Sequence, residues 1–351
     1  MILLALLAAC VLESSDSWGP DGKVPVRAET VVSGLEVPWS FAFLPGGDAL
    51  VSERPGRVRL LRGRKLVAQP VLTLEVAKQT AEGGLLGIAV DPKDATRLFL
   101  FATLPGPHNE LQRWKLSPDH SRATFEAVIT RDIAGARYHD GGRIRFGPDG
   151  LLYVGTGDAT RRERSQDPKS LNGKLLRVSA QGAVEVFARG IRNTEGFDWL
   201  DPETILLVDH GPSGEMPGRY AHDEVNLVHR GDNLGWPDIY GCEEKAGMVT
   251  PLITWSKHAL PPGGVAIYRG DSIPQWKGSA MVASLGGEQL HRVVLENGAV
   301  TQHEVYFRQQ LGRLREIAMT PDGELWVGTS NCDGRGECPA EKDRVVRIVP
   351  Q

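Results

Sequence analysis

An excess of positive charge is missing from this chain. Lys and Arg number 40 against 44 Asp and Glu, a formal net charge of −4. That excludes the basic footprint of a nucleic-acid-binding domain. Long apolar runs are missing too: beyond Met1–Ala9 no stretch approaches the roughly 20 residues that span a bilayer as a helix. Cysteine is scarce, with four in 351 residues. None forms the paired CxxC clusters of a zinc site, and no CxxCH marks a haem attachment. Long segments of 3.6-residue periodicity are also lacking, so helices should be few.

What the chain does have is turn residues. Gly 41 and Pro 23, spread along the whole length, fit many short strands joined by tight turns. Between the turns one phrase recurs: alternating apolar residues, a Pro-Asp-Gly type turn, a second apolar run, then a polar or Gly-rich loop. The copies begin at Val37, Gly87, Gly142, Gly196, Gly264 and Leu314, and the copy Gly142–Thr156, turning at Gly147-Pro-Asp-Gly150, is the clearest. Each is followed by a further strand-like run, such as Glu110–Leu116 or Lys174–Val178. Hairpin after hairpin at this spacing predicts propeller blades. Six copies predict an all-β, six-bladed β-propeller with four-stranded antiparallel blades, occupying residues 28–351 as a single domain. A propeller brings loops from every blade to one channel, so functional residues should lie far apart in sequence.

The first residues read differently. Met1–Ala9 is apolar throughout, and Leu7-Ala-Ala-Cys10 has the shape of a bacterial lipoprotein signal. Residues 1–10 are therefore expected to be a signal peptide ending in a lipobox-like cysteine. Residues 11–27 are expected to be a polar tether. An exported protein, periplasmic or at the cell surface and lipid-anchored at Cys10, follows. Cys332 and Cys338 flank a Gly-containing loop, and in an oxidising compartment they suit a local disulfide.

Several short constellations sit at the ends of the predicted inner strands. His139, in Arg137-Tyr-His-Asp-Gly-Gly-Arg143, is suited to general-base work because imidazole titrates near neutrality. Arg192 and Asn193 offer bidentate donors to an anionic or carbonyl-rich ligand. Asp209-His-Gly-Pro212 ends another inner strand. Asp223-Glu224 beside the Gly-rich Gly231–Pro237 segment suits calcium, which takes carboxylate and carbonyl oxygens. Arg313 and Arg315 point to one side of a strand and favour a carboxylate-bearing ligand. Together these describe a channel site with a base, several arginines and a divalent ion.

The ordered motifs Glu82-Gly-Gly-Leu-Leu-Gly87, His139-Asp-Gly-Gly-Arg143, Gly155-Thr-Gly-Asp158, Arg192-Asn193, His210-Gly-Pro212, Asp223-Glu-Val-Asn-Leu227, Asn233-Leu-Gly-Trp-Pro237 and Arg313-Leu-Arg315 resemble the soluble quinoprotein sugar dehydrogenases. This is the glucose/sorbosone dehydrogenase family, and the aldose sugar dehydrogenase branch is the more similar. The resemblance runs from about residue 28 to the end. It implies a six-bladed propeller that uses pyrroloquinoline quinone (PQQ) and Ca2+ to oxidise aldoses at C1 to lactones, passing electrons to an external acceptor. It implies His139 as catalytic base oriented by Asp158, and Arg192 and Asn193 against the quinone. Glu82, Glu195 and His210 are implied as further cofactor contacts, and Arg313 and Arg315 as partners of its carboxylates. The Gly211 and Pro212 carbonyls are implied as ligands of the catalytic calcium, with Asp223, Glu224 and the Leu234 carbonyl near metal, the last two at a second, structural site. The chain departs from the pattern at Glu82 and Glu195, where many relatives carry Gln. It also departs at Gly286, where glucose-oxidising relatives place a Lys, and in a longer segment over Ser213–His222. Two other readings use the same fold: a redox-inactive carbohydrate- or protein-binding propeller, and a calcium-dependent lactonase.

Overall fold

A computed structural model describes residues 10–77, 81–179 and 181–351. The repeated phrases are the inner two strands of six antiparallel blades. The third blade shows how the sequence makes one. Gly147 and Gly150 bracket its first turn, with the Gly150 N–H donating to the Gly147 carbonyl at 2.9 Å. Gly150 takes a φ of +75°, which favours glycine. The turn sets Gly141–Phe146 against Leu152–Thr156, followed by Lys174–Val178 and Val184–Arg189.

The innermost strands are Pro38–Phe43, Leu85–Asp91, Gly141–Phe146, Gly196–Trp199, Pro262–Ile267 and Leu314–Met319, arranged round an axis. The sixth blade is closed by the opposite end of the chain: Val26–Leu35 pairs antiparallel with Asp343–Pro350. Six hydrophobic clusters lie between consecutive blades, one per interface. The core is therefore a ring of flat interfaces, and the axis is left to polar groups. Arg143 crosses it. Fully buried, it stacks 4.4 Å over the Trp39 ring. It donates to Ser40 Oγ (2.8 Å), the Glu195 carbonyl (2.7 Å) and the Gly263 carbonyl (3.1 Å), and pairs with Glu316. One guanidinium thus ties the inner walls of four other blades to its own.

Two expectations for the N-terminus require correction. The run 1–9 lies outside the described residues, but the segment after it is not a free tether. Val11–Glu13 adds a parallel fifth strand to the fourth blade, along Ile253–Trp255. The edge strand of that blade has unpaired N–H and C=O groups, and Val11 joins the neighbouring apolar cluster. The chain then crosses the fifth blade, where Asp21 bridges to Val305 and pairs with Arg308 at 2.9 Å. Cys10, expected to carry lipid, is bonded to Cys242, and a sulfur in that bond cannot also hold a thioether. Cys332 and Cys338 form the local disulfide.

Candidate active site

One mouth of the channel opens into a cavity of about 870 Å³. His139 stands on its wall immediately before the inner strand of the third blade. Its backbone has φ +63°, a conformation non-glycine residues seldom adopt outside sites that constrain them. Gly157 makes the room: a Cβ there would lie 2.0 Å from the His139 carbonyl oxygen. The ring Nδ1 is 2.8 Å from Asp158 Oδ1. A carboxylate only accepts, so Nδ1 carries the proton and Nε2 is left as an acceptor on the cavity side. Asp158 is fixed in turn by Trp236 Nε1 on Oδ2 (2.9 Å) and the Thr160 N–H on Oδ1 (2.8 Å).

The His139 N–H donates to Glu82 Oε2 at 2.8 Å, and Glu82 also pairs with Arg335 at 3.2 Å. Burial alone would push Glu82 up. The His139 ring and N–H, with His210 and Arg335, outweigh it and hold the carboxyl below its ordinary value. On the opposite wall Arg315 pairs with Glu195 and Arg313 with Asp333 (2.9 Å). Arg313, Arg315 and Arg335 each have a carboxylate behind them and keep further N–H groups for a ligand.

The fourth blade supplies the floor. Asp209 accepts the N–H groups of Arg192 (2.8 Å) and Asn193 (2.7 Å), and burial pushes its carboxyl up to about 6. His210 Nε2 donates to the Pro262 carbonyl at 3.0 Å, so its Nδ1 accepts from Asn193 Nδ2 at 3.1 Å. The Asn193 Oδ1 accepts the Gly141 N–H at 2.9 Å. Asn193, expected to touch the cofactor, is thereby consumed in fastening the third blade to the fourth and does not line the cavity. Its neighbour Arg192 does line it.

Gly211 lines the cavity, and its N–H is held by Asp223 Oδ1 at 3.0 Å. The carbonyl oxygens of Gly211 and Pro212 accept no hydrogen bond among the described residues, so both are free as metal donors. A Cβ on Gly211 would sit 1.9 Å from the Ala221 oxygen, so only glycine fits this turn. Glu224 lies apart, buried, opposite Asp209 across the ladder. Burial and then the Asp209 charge push it up to about 8. Its neighbour Asn226 has a buried Oδ1 with no partner, an unsatisfied oxygen of the kind a cation would complete. The Leu234 side chain packs in the core between the third and fourth blades, and its carbonyl oxygen accepts no backbone hydrogen bond among the described residues. Glu224 accepts the Gly241 N–H at 2.7 Å and Asn226 Nδ2 at 3.3 Å.

Sequence reasoning passed over four contributors. Trp236 and Asp209 stand inside motifs already singled out but act through neighbours. Asp333 and Arg335 lie in the Cys332–Cys338 loop, where the only signal was the loop itself. Asp140, next to His139, is a further buried carboxyl, pushed up to about 7 by burial, with one oxygen unpartnered.

A propeller with a histidine–aspartate pair facing arginines across a deep cavity is a small-molecule site built for an anionic ligand and a proton transfer. The glucose/sorbosone dehydrogenase family profile matches residues 35–338, and the chain belongs to that family. It is 27% identical over 366 residues to aldose sugar dehydrogenase YliI of Escherichia coli (strain K12), covering 93% of this chain and 96% of that protein. The PQQ-bound aldose sugar dehydrogenase of Streptomyces coelicolor superposes with a TM-score of 0.83 at 31% identity, over 94% of this chain and 99% of that one. A Thermus thermophilus structure described as an oxidoreductase (glucose dehydrogenase) has TM-score 0.82 and 39% identity, over 92% and 100% of the two chains.

Proposed function

We propose that this chain is a PQQ- and calcium-dependent dehydrogenase that oxidises aldose sugars at C1 to lactones. The observation carrying this reading is the free Nε2 of His139, whose Nδ1–H is committed to Asp158, facing Arg192, Arg313 and Arg315 across one cavity. The family membership and the PQQ-bound relative supply its context.

The residues fit the cofactor. Arg313 and Arg315 would hold its carboxylates and Arg192 its quinone edge, while the Gly211 and Pro212 carbonyls would hold calcium. When bound, PQQ with its calcium supplies the electrophile that accepts hydride from the sugar. His139 Nε2 takes the proton of the anomeric hydroxyl, so the sugar loses one proton and one hydride and becomes the lactone. Asp158 stabilises the imidazolium that forms and keeps the ring aimed. Glu224 and the Leu234 carbonyl, with the unpartnered Asn226 Oδ1, would hold a second, structural calcium. Electrons leave to an external acceptor. The two disulfides support an oxidising, extracytoplasmic location.

The test titrates metal-free protein with PQQ plus calcium and follows glucose-dependent dye reduction. Turnover that needs both additions and vanishes in His139→Ala supports the proposal. A folded protein that does not bind PQQ sinks it and favours the lactonase or binding-module readings.

A further inference from the structure

The longer segment after Pro212 folds as a small hairpin, Ser213–Met216 against Arg219–Tyr220, beside the cavity. Its near end holds Arg192. Glu215 Oε1 accepts from Arg192 Nε at 2.7 Å, and Ser213 Oγ accepts from Nη2 at 3.1 Å. Its far end is braced elsewhere: Arg219 lies 4.4 Å over the Tyr240 ring and donates to the Pro237 carbonyl at 2.9 Å.

Glu215 differs from the other carboxylates that partner cavity arginines. The side chains of Glu82, Glu195 and Asp333 are 14%, 5% and 1% exposed and come from inner-strand ends or a disulfide-closed loop. Glu215 is 35% exposed and sits on a two-stranded hairpin that joins no blade. Removing any of the first three from its arginine means disrupting buried structure. Removing Glu215 means moving a surface hairpin about its Arg219 anchor. An incoming polyanion can therefore claim Arg192 at the cost of displacing one surface hairpin.

We propose that Glu215 sets the affinity of the cavity for its anionic cofactor, with the hairpin acting as a latch closed on Arg192 until that ligand takes the guanidinium. This rests on the PQQ reading above. Glu215 competes with the ligand for one cation, and its charge is the entry barrier.

The test compares wild-type protein and Glu215→Gln, both with calcium. PQQ binding is measured by absorbance titration, and hydrogen exchange is followed in peptides covering residues 213–220, with and without PQQ. The variant keeps the shape of the side chain and loses its charge. It is expected to bind PQQ about fivefold more tightly, the size of one partly exposed ion pair. Its free hairpin should exchange as fast as the PQQ-loaded wild type, and PQQ should speed exchange in the wild type. Weaker or equal PQQ binding by the variant overturns the latch, because Glu215 then orients Arg192 or does nothing. Slower wild-type exchange on loading overturns it as well. If wild type binds no PQQ, the functional reading falls by itself. The exchange of the free variant hairpin then decides the latch: raised exchange supports it, unchanged exchange overturns it.

Discussion

Asp158→Asn is the sharpest perturbation of the proton-transfer machinery. Three donors converge on the carboxylate: His139 Nδ1 and the Thr160 N–H on Oδ1, and Trp236 Nε1 on Oδ2. An amide has one oxygen. If that oxygen replaces Oδ1, the amide NH2 faces the indole N–H, and one buried donor loses its acceptor at about 1–3 kcal/mol. If it replaces Oδ2, the NH2 faces the Thr160 N–H and the histidine Nδ1. The imidazole must then accept at Nδ1 and carry its proton on Nε2, where it cannot act as a base. The second arrangement keeps the indole bond but strands the Thr160 N–H instead, and it removes the whole general-base contribution, about 10²–10⁴-fold in rate; in either arrangement the charge that stabilises the imidazolium is lost. The assay is dye-coupled glucose oxidation at saturating PQQ and calcium, with kcat and KM separated. The expected result is a fall in kcat of at least about 100-fold with little change in PQQ affinity. An Asp158→Asn enzyme within about fivefold of wild type, well inside that range, would refute the assignment of the tautomer and of the base.

Other outcomes follow from features away from that pair. Arg143→Met removes the cation shared by four other blades and leaves Glu316 with only Arg145. Breaking a buried pair costs about 3–5 kcal/mol, so thermal unfolding should shift markedly downward, and an unchanged Tm would show the axis is tied by other contacts. Asp140 binds its proton more tightly folded, at about 7, than unfolded. Its contribution is fully present below the ordinary carboxylate range and is lost as pH rises through 7. Asp140→Asn should therefore flatten the decline in Tm of the metal-free protein between pH 4 and 7 (about the unfolded and folded values). An identical slope in both proteins excludes Asp140 as its source. Cys10→Ser should release the N-terminal strand, seen as faster proteolysis within residues 10–22 while the blades keep their melting transition. Equal proteolysis would mean that Val11–Glu13 holds without the disulfide.

The blades were legible because each is encoded locally: an alternating run, a turn such as Gly147-Pro-Asp-Gly150, and a second run determine a hairpin whatever surrounds it. The His139, Arg192 and Arg313–Arg315 positions were legible for a related reason, since they flank inner strands and inner strands end at the channel. Residues whose role depends on a partner far away were not. Nothing near Glu13 announces that Ile253–Trp255 needs an edge partner, and its polar neighbours read as tether. Arg143 looks like any strand arginine until Trp39, Glu195, Gly263 and Glu316 are gathered round it. Asn193 has the right chemistry for a ligand, yet the fold spends both ends of its amide on Gly141 and His210.

The ring closes with two strands of very distant sequence, Val26–Leu35 and Asp343–Pro350, in one blade, and this gives the protein a timetable. Val26–Leu35 is synthesised more than 300 residues before its partner Asp343–Pro350. Until that final strand arrives, the opening strand has no ladder, and the apolar interface between the sixth and first blades stays wet. The cavity is divided the same way: His139 and Arg192 come from the middle of the chain, Arg313 and Arg315 from the end. Folding must therefore bring together contacts of very long sequence separation, which slows it. It also makes assembly of the site a check on completion. A chain cut short before Asp343 would retain His139 but lose the closure that holds the two arginines across from it.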